Sequence, residues 1–182
     1  MGLRAFKRIY KRQRPVQWVT LADFEKILEN WSELQLPFWV MFILAFYTLV
    51  RPVEIRRLEW GHVFLAQKYI YLPFSKNDPE GEGTYVRLLP RALEALVRLQ
   101  NSLPRPPASK QLVFEISKDY LNAWLRAQCE KCDVGPYTWY HLKHGGATFL
   151  ALEGWSFAQI KAHSRWKSDQ AARIYIHAPI MQ

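Results

Sequence analysis

From Leu36 to Val50 runs a stretch of about 15 residues that is apolar nearly all round and stops on Arg51-Pro52. A bilayer span takes about 20 residues, so this stretch is predicted to be a helix buried on most sides of a protein core. Pro52 cannot continue that helix, but it suits the first turn of the next one. Arg51 is thereby placed at a junction between two helices, a cation held next to the most apolar segment of the chain.

Elements on either side follow from pattern. Thr20 reads as a helix cap, with Asp23 at the capping-box position and Phe24, Ile27 and Leu28 on one face. The helix opened by Pro52 continues through Ile55 and Leu58 to about Glu59. His62–Leu65, Tyr69–Phe74 and Tyr85–Leu89 are rich in β-branched and aromatic residues and read as strands. Between the last two lies the turn Asn77-Asp-Pro-Glu-Gly-Glu-Gly83. From Pro90 a helix carries Leu93, Leu96, Val97 and Leu99 as a stripe, and 104–109 is a Pro-rich connector. Further helices are predicted near 117–131, 140–153, 156–163 and 168–176. The chain is therefore mainly α with a small three-stranded antiparallel sheet after the third helix.

The 182 residues fit one domain, read as a basic linker or tail over 1–19 and a folded domain over 20–182. Lys and Arg total 25 against 16 Asp and Glu, a net charge of +9, which favours a polyanionic partner. Arg4, Lys7, Arg8, Lys11, Arg12 and Arg14 form a run that is either a solvated tail or a track for a DNA backbone. Cys129 and Cys132 lack a second pair at zinc spacing and read as reduced thiols on a helix. With no disulfide framework and no signal peptide, an intracellular setting is expected. Trp31, Trp39, Trp124, Trp139 and Trp155 are read as core or groove-lining residues.

Cleaving DNA without metal needs a nucleophile for phosphorus, cations for the phosphate oxygens, and a proton donor for the leaving 5′ oxygen. Thr48-Leu-Val-Arg51-Pro-Val-Glu54-Ile-Arg-Arg-Leu58-Glu-Trp60 resembles the first signature of the tyrosine recombinase (phage integrase) family, T-G-L-R-x-x-E-L-x-x-L-x-W, with Leu49 in place of the glycine. The resemblance makes Arg51 a phosphate ligand through its planar fork. It makes Glu54 the residue that orients this region, whose simplest partner is Arg51. It also implies a catalytic lysine on the second hairpin of a three-stranded sheet. Lys76 stands there as general acid, with Lys68 the less favoured substitute.

Tyr140-His-Leu-Lys143-His144-Gly-Gly-Ala147-Thr148 resembles the family's H-x-L-R-H-x-x-A-T and departs from it twice. Tyr140 stands where the histidine is usual, and Lys143 where the second arginine is. A lysine keeps the charge but loses the bidentate grip, so an arginine at 143 is expected to preserve or raise cleavage. A tyrosine is a poor base near neutral pH. His141 and His144 are possible compensators, and on a helix only His144 lies near the Tyr140 face. Trp166 precedes Tyr175 by nine residues, and Tyr175-Ile-His177 matches the closing run of the family. Tyr175 is then the nucleophile and Trp166 a donor to a phosphate oxygen, with His163 in reserve.

The resemblance covers the family's C-terminal catalytic half. It implies the DNA breaking-rejoining fold, no cofactor and no metal. The implied activity is cleavage and rejoining of duplex DNA through a 3′-phosphotyrosine link, by a tetramer on DNA that is a monomer without it. It places the protein inside a cell, in the cytoplasm or nucleoid or in the host cell of a mobile genetic element, and the basic run resembles a linker from an N-terminal domain. Two alternatives remain: a DNA-binding relic, for which Tyr140 and Lys143 speak, and a type IB topoisomerase-like enzyme.

Overall fold

The computed structural model of the chain describes residues 17–73 and 81–177. At its centre is the apolar helix, α2 (Leu36–Thr48), preceded by α1 (Leu21–Leu28) and followed by α3 (Pro52–Arg56). Eleven of its 13 residues are buried. It packs most extensively against α4 (Pro90–Asn101) and α6 (Trp139–Leu152). The α6 contact is close because it is made through glycine, with Gly146 against α2 and Gly145 against the segment at Val19. A Cβ on Gly146 would collide with the Phe46 carbonyl oxygen, and one on Gly145 with that of Val19. Among the described residues the remaining α-helices are α5 (Lys118–Cys132), α7 (Phe157–Ser164) and α8 (Asp169–Tyr175), each starting and ending within about two residues of expectation.

Strands β1 (Val63–Phe64), β2 (Tyr69–Leu72) and β3 (Thr84–Arg87) form an antiparallel sheet in the order β1-β2-β3. Ile70 pairs with Val86 and Leu72 with Thr84, so Ile70, Leu72 and Val86 face the core. The alternate positions carry an aromatic ladder, with Tyr85 5.0 Å from both Tyr69 and Tyr71.

Three expectations are corrected. Helix α3 ends at Arg56, not Glu59, because Leu58–Trp60 pair with another segment. The Leu58 carbonyl accepts from Val113 N–H at 2.8 Å, and Trp60 N–H donates to the Gln111 carbonyl at 3.0 Å. On α4 the buried stripe is Ala92, Ala95, Leu96 and Leu99; Val97 lies off it and is exposed. Thr20 caps α1 by accepting from Asp23 N–H (3.1 Å), but the Asp23 carboxylate accepts from the Tyr137 hydroxyl instead of closing the box. Cys129 and Cys132 are free and buried. Trp39, Trp124 and Trp139 lie in the core, while Trp31 and Trp155 are half-buried. No described helix is long and apolar enough to cross a membrane.

Candidate active site

The junction between α2 and α3 sets Arg51. Leu49 closes α2 in the left-handed conformation (φ 57°), a turn that favours glycine, and its fully buried side chain packs in a cluster with Ala147, Leu150 and Trp166. Two residues on, Arg51 is extended and caps α3. Its backbone N–H donates to Glu54 Oε2 at 2.9 Å. Its guanidinium is only loosely engaged: Nη1 is 3.7 Å from Glu54 Oε1, and the side chain is 31% exposed.

Glu54 is engaged chiefly by a residue that the sequence motifs do not single out. Arg165, at the C-terminus of α7, binds it bidentately, with Nη1 3.1 Å from Oε1 and Nη2 3.0 Å from Oε2. Arg165 is itself in the left-handed conformation (φ 61°), which turns its side chain in beside α3. Burial alone pushes the Glu54 carboxyl up. The Arg165 hydrogen bonds and charge, with the N–H and charge of Arg51, outweigh it and hold the carboxyl below its usual value. The sequence signal for Arg165 is slight: a cation next to Trp166, with its partner 111 residues away.

Helix α6 contributes Tyr140, Lys143 and His144. Lys143 is buried, and its Nζ finds no hydrogen-bond partner among the described residues. It lies 5.3 Å from the Trp166 ring centroid and 5.7 Å from that of Tyr175. Burial, then the charges of Arg51 and Arg165, bring its amine down to about 7, with Glu54 opposing. His144 stacks on Tyr175 with ring centroids 4.2 Å apart, and Tyr140 packs edge-on to both. His141 is turned away, its Nδ1 accepting from Thr138 N–H at 3.0 Å to cap its own helix.

Helix α8 ends on Tyr175. Burial and the neighbouring Tyr140 phenol push its phenol well above the usual tyrosine value, with Arg51 opposing. Trp166 covers the ring at 4.6 Å, and its indole N–H is buried with no acceptor among the described residues. Past Tyr175 the chain turns back onto α6. His177 N–H donates to Thr148 Oγ1 (3.0 Å), and its Nε2 lies 3.0 Å from His144 Nδ1. Trp18 stacks on the far face of His177 at 4.2 Å.

Tyr175, Tyr140, Lys143, Arg51, Arg56 and Lys118 thus share one cavity of about 500 Å³. The fold brings together Arg51, Glu54, Tyr140, Lys143, His144, Trp166 and Tyr175. His163 is engaged elsewhere, its Nε2 donating to the Tyr47 carbonyl at 2.8 Å and tying α7 to α2. Lys76 and the basic run Arg4, Lys7, Arg8, Lys11, Arg12 and Arg14 lie outside the described residues. The arrangement offers clustered cations, an indole donor and a phenol held beside them. That is a cradle for a tetrahedral anion with an oxygen nucleophile at its edge.

Comparison with known proteins adds four findings. The family model described as the phage integrase family matches residues 17–180. The shufflon-specific DNA recombinase of Escherichia coli is 26% identical over 162 residues, which is 87% of this chain and 39% of that protein. The crystal structure of XerA recombinase superposes with a TM-score of 0.72 at 18% identity, over 91% of this chain and 62% of that one. A lambda integrase dimer bound to a COC′ core site gives 0.72 at 18%, over 94% and 51%. The chain spans less than two thirds of each of these proteins.

Proposed function

The chain belongs to the phage integrase family, and we propose that it acts as a tyrosine-type site-specific recombinase on duplex DNA. The observation that carries this is the convergence of Arg51, Lys143, Trp166 and Tyr175, from four separate segments of the chain, on one site.

In this reading Arg51 and Lys143 hold the non-bridging oxygens of the scissile phosphate, and the Trp166 indole donates a third bond. Tyr175 Oη attacks phosphorus. The Oη–P bond forms as the P–O5′ bond breaks, leaving a 3′-phosphotyrosine and a 5′ hydroxyl. The phenol passes its proton to water in the open cavity as it attacks, and Lys76 supplies a proton to the leaving oxygen. A 5′ hydroxyl from a second strand then reverses the step. No high-energy cofactor is consumed, because the phosphodiester energy is kept in the covalent link. Tyr140, packed edge-on against Tyr175, and His144, stacked on it, hold the nucleophile in place. The basic run at 4–14 follows the DNA backbone, and the protein assembles as a tetramer on two duplexes from monomers. Such an enzyme works where the DNA is, inside the host cell of a mobile element.

Nicked duplexes of randomised sequence, in which the strand downstream of the cut diffuses away, test this. The wild-type protein is expected to yield a covalent adduct that survives denaturation, and Tyr175→Phe to yield none. Retarded but never covalent DNA would favour the DNA-binding relic, in which Lys143 no longer supports chemistry.

A further inference from the structure

Two arginines approach one buried carboxylate at this site, and the carboxylate is divided unequally between them. Glu54 is 6% exposed at its side chain, and Arg165 10%. Both Glu54 oxygens accept from the Arg165 fork, at 3.1 and 3.0 Å, and Oε2 also accepts the Arg51 backbone N–H at 2.9 Å. Three of that carboxylate's acceptor positions are thereby taken, and the Arg51 guanidinium keeps only a long ion pair with Oε1 at 3.7 Å, its side chain the most exposed of the three. The pairing is directional: a bidentate guanidinium–carboxylate contact outcompetes a single long one. A buried carboxylate stripped of its partner is costly and recruits the nearest cation. For Glu54 that cation is Arg51, three residues away at the start of the same short helix.

We propose that Arg165 is a positioning residue that occupies Glu54 and thereby keeps the Arg51 guanidinium available to DNA. This rests on the recombinase reading of the site. Arg165 touches no substrate in this role. It acts through Glu54 on Arg51, and its left-handed backbone (φ 61°) is what brings its fork to α3. Removing it lets Glu54 draw Arg51 inward, off the phosphate. Removing the Glu54 charge as well takes away the force that draws it. With Glu54→Gln the side chain still offers an amide oxygen to the Arg51 N–H, so the start of α3 survives.

The test is single-turnover adduct formation on the nicked duplex recovered from the randomised pool. Arg165→Ala is expected to slow cleavage on the order of 100-fold, the scale of a misplaced reacting group. Glu54→Gln added to Arg165→Ala is expected to restore cleavage to within about 10-fold of wild type. A residue that merely stabilises the fold predicts the reverse, the double variant being worse than either single one. Should Arg165→Ala lose its helical signal, Arg165→Lys carries the same comparison. It keeps a cation but only one point of contact, and Glu54→Gln should rescue it too. Adduct from wild type without rescue in either background overturns the role of Arg165 alone. No adduct from wild type removes the recombinase reading and this role with it.

Discussion

His144 lies face to face with Tyr175, with ring centroids 4.2 Å apart and planes inclined by 23°. The nucleophile candidate is therefore held from its flat side by a ring on α6. That ring is held in turn by His177, Nδ1 to Nε2 at 3.0 Å.

This stack predicts acid sensitivity. Burial, then His177, His141 and Lys143, bring His144 down to about 4, and burial also lowers His177. A histidine whose folded pKa lies below its unfolded value of about 6.5 binds its proton mainly in the unfolded chain. Its contribution to stability is full above that value and is lost as pH falls toward 4. The unfolding free energy from urea titrations should drop between pH 6.5 and 4 by on the order of 2 kcal/mol, and His144→Phe should flatten that slope. An unchanged slope in the variant would assign the acid loss to other groups.

Lys143 predicts a pH dependence of the opposite kind for binding. With its amine near 7 in the free protein, it must gain a proton to hold a phosphate oxygen as a cation. DNA affinity of Tyr175→Phe protein should therefore weaken from pH 7 to 9. The same protein carrying Lys143→Arg should bind evenly across that range, because a guanidinium stays charged. This sharpens the expectation that arginine preserves or raises cleavage: its advantage should appear only above neutral pH. The added fixed cation beside Arg51 and Arg165 should also cost about 1–2 kcal/mol of stability.

Leu49 replaces the glycine usual at a left-handed helix end. Leu49→Gly relieves about 1 kcal/mol of backbone strain but empties a fully buried site beside Trp166. The second effect wins. A net loss of about 1–3 kcal/mol is expected in denaturant, with slower cleavage as Trp166 loosens. A gain in stability would show that strain, not packing, governs this position.

Gly146 makes the reverse case. A Cβ there meets the Phe46 carbonyl oxygen and comes within 2.6 Å of Leu49 Cδ2, so α6 must move away from α2. Gly146→Ala should destabilise by about 3 kcal/mol or more. Denaturation within about 1 kcal/mol of wild type, the ordinary effect of a point substitution, would mean that α6 has room to shift.

Much of this was legible in the residues because the apolar patterns are local. The all-round apolar run at Leu36–Thr48 demanded a central helix, and the Arg51-Pro52 break placed a cation at its end. Positions 140, 143 and 144 share a helix end, so their convergence follows from helical geometry. Arg165 was not legible, because its partner Glu54 is 111 residues distant and a closer cation, Arg51, offered the simpler pairing. The true end of α3 was hidden for the same reason, since Leu58 and Trp60 pair with Val113 and Gln111. His163 looked like a site residue from its spacing, but a hydrogen bond to Tyr47 turns it elsewhere.

The central claim is that Tyr175 becomes covalently joined to DNA, and one measurement reads it directly. The trapped adduct is digested with nuclease and protease, and the nucleotide-bearing peptide is sequenced by mass spectrometry. The account predicts a single modified peptide with a 3′-linked nucleotide on Tyr175, and a free 5′ hydroxyl on the released strand. A nucleotide on Tyr140 or any other residue, or a 5′-linked one, would contradict it.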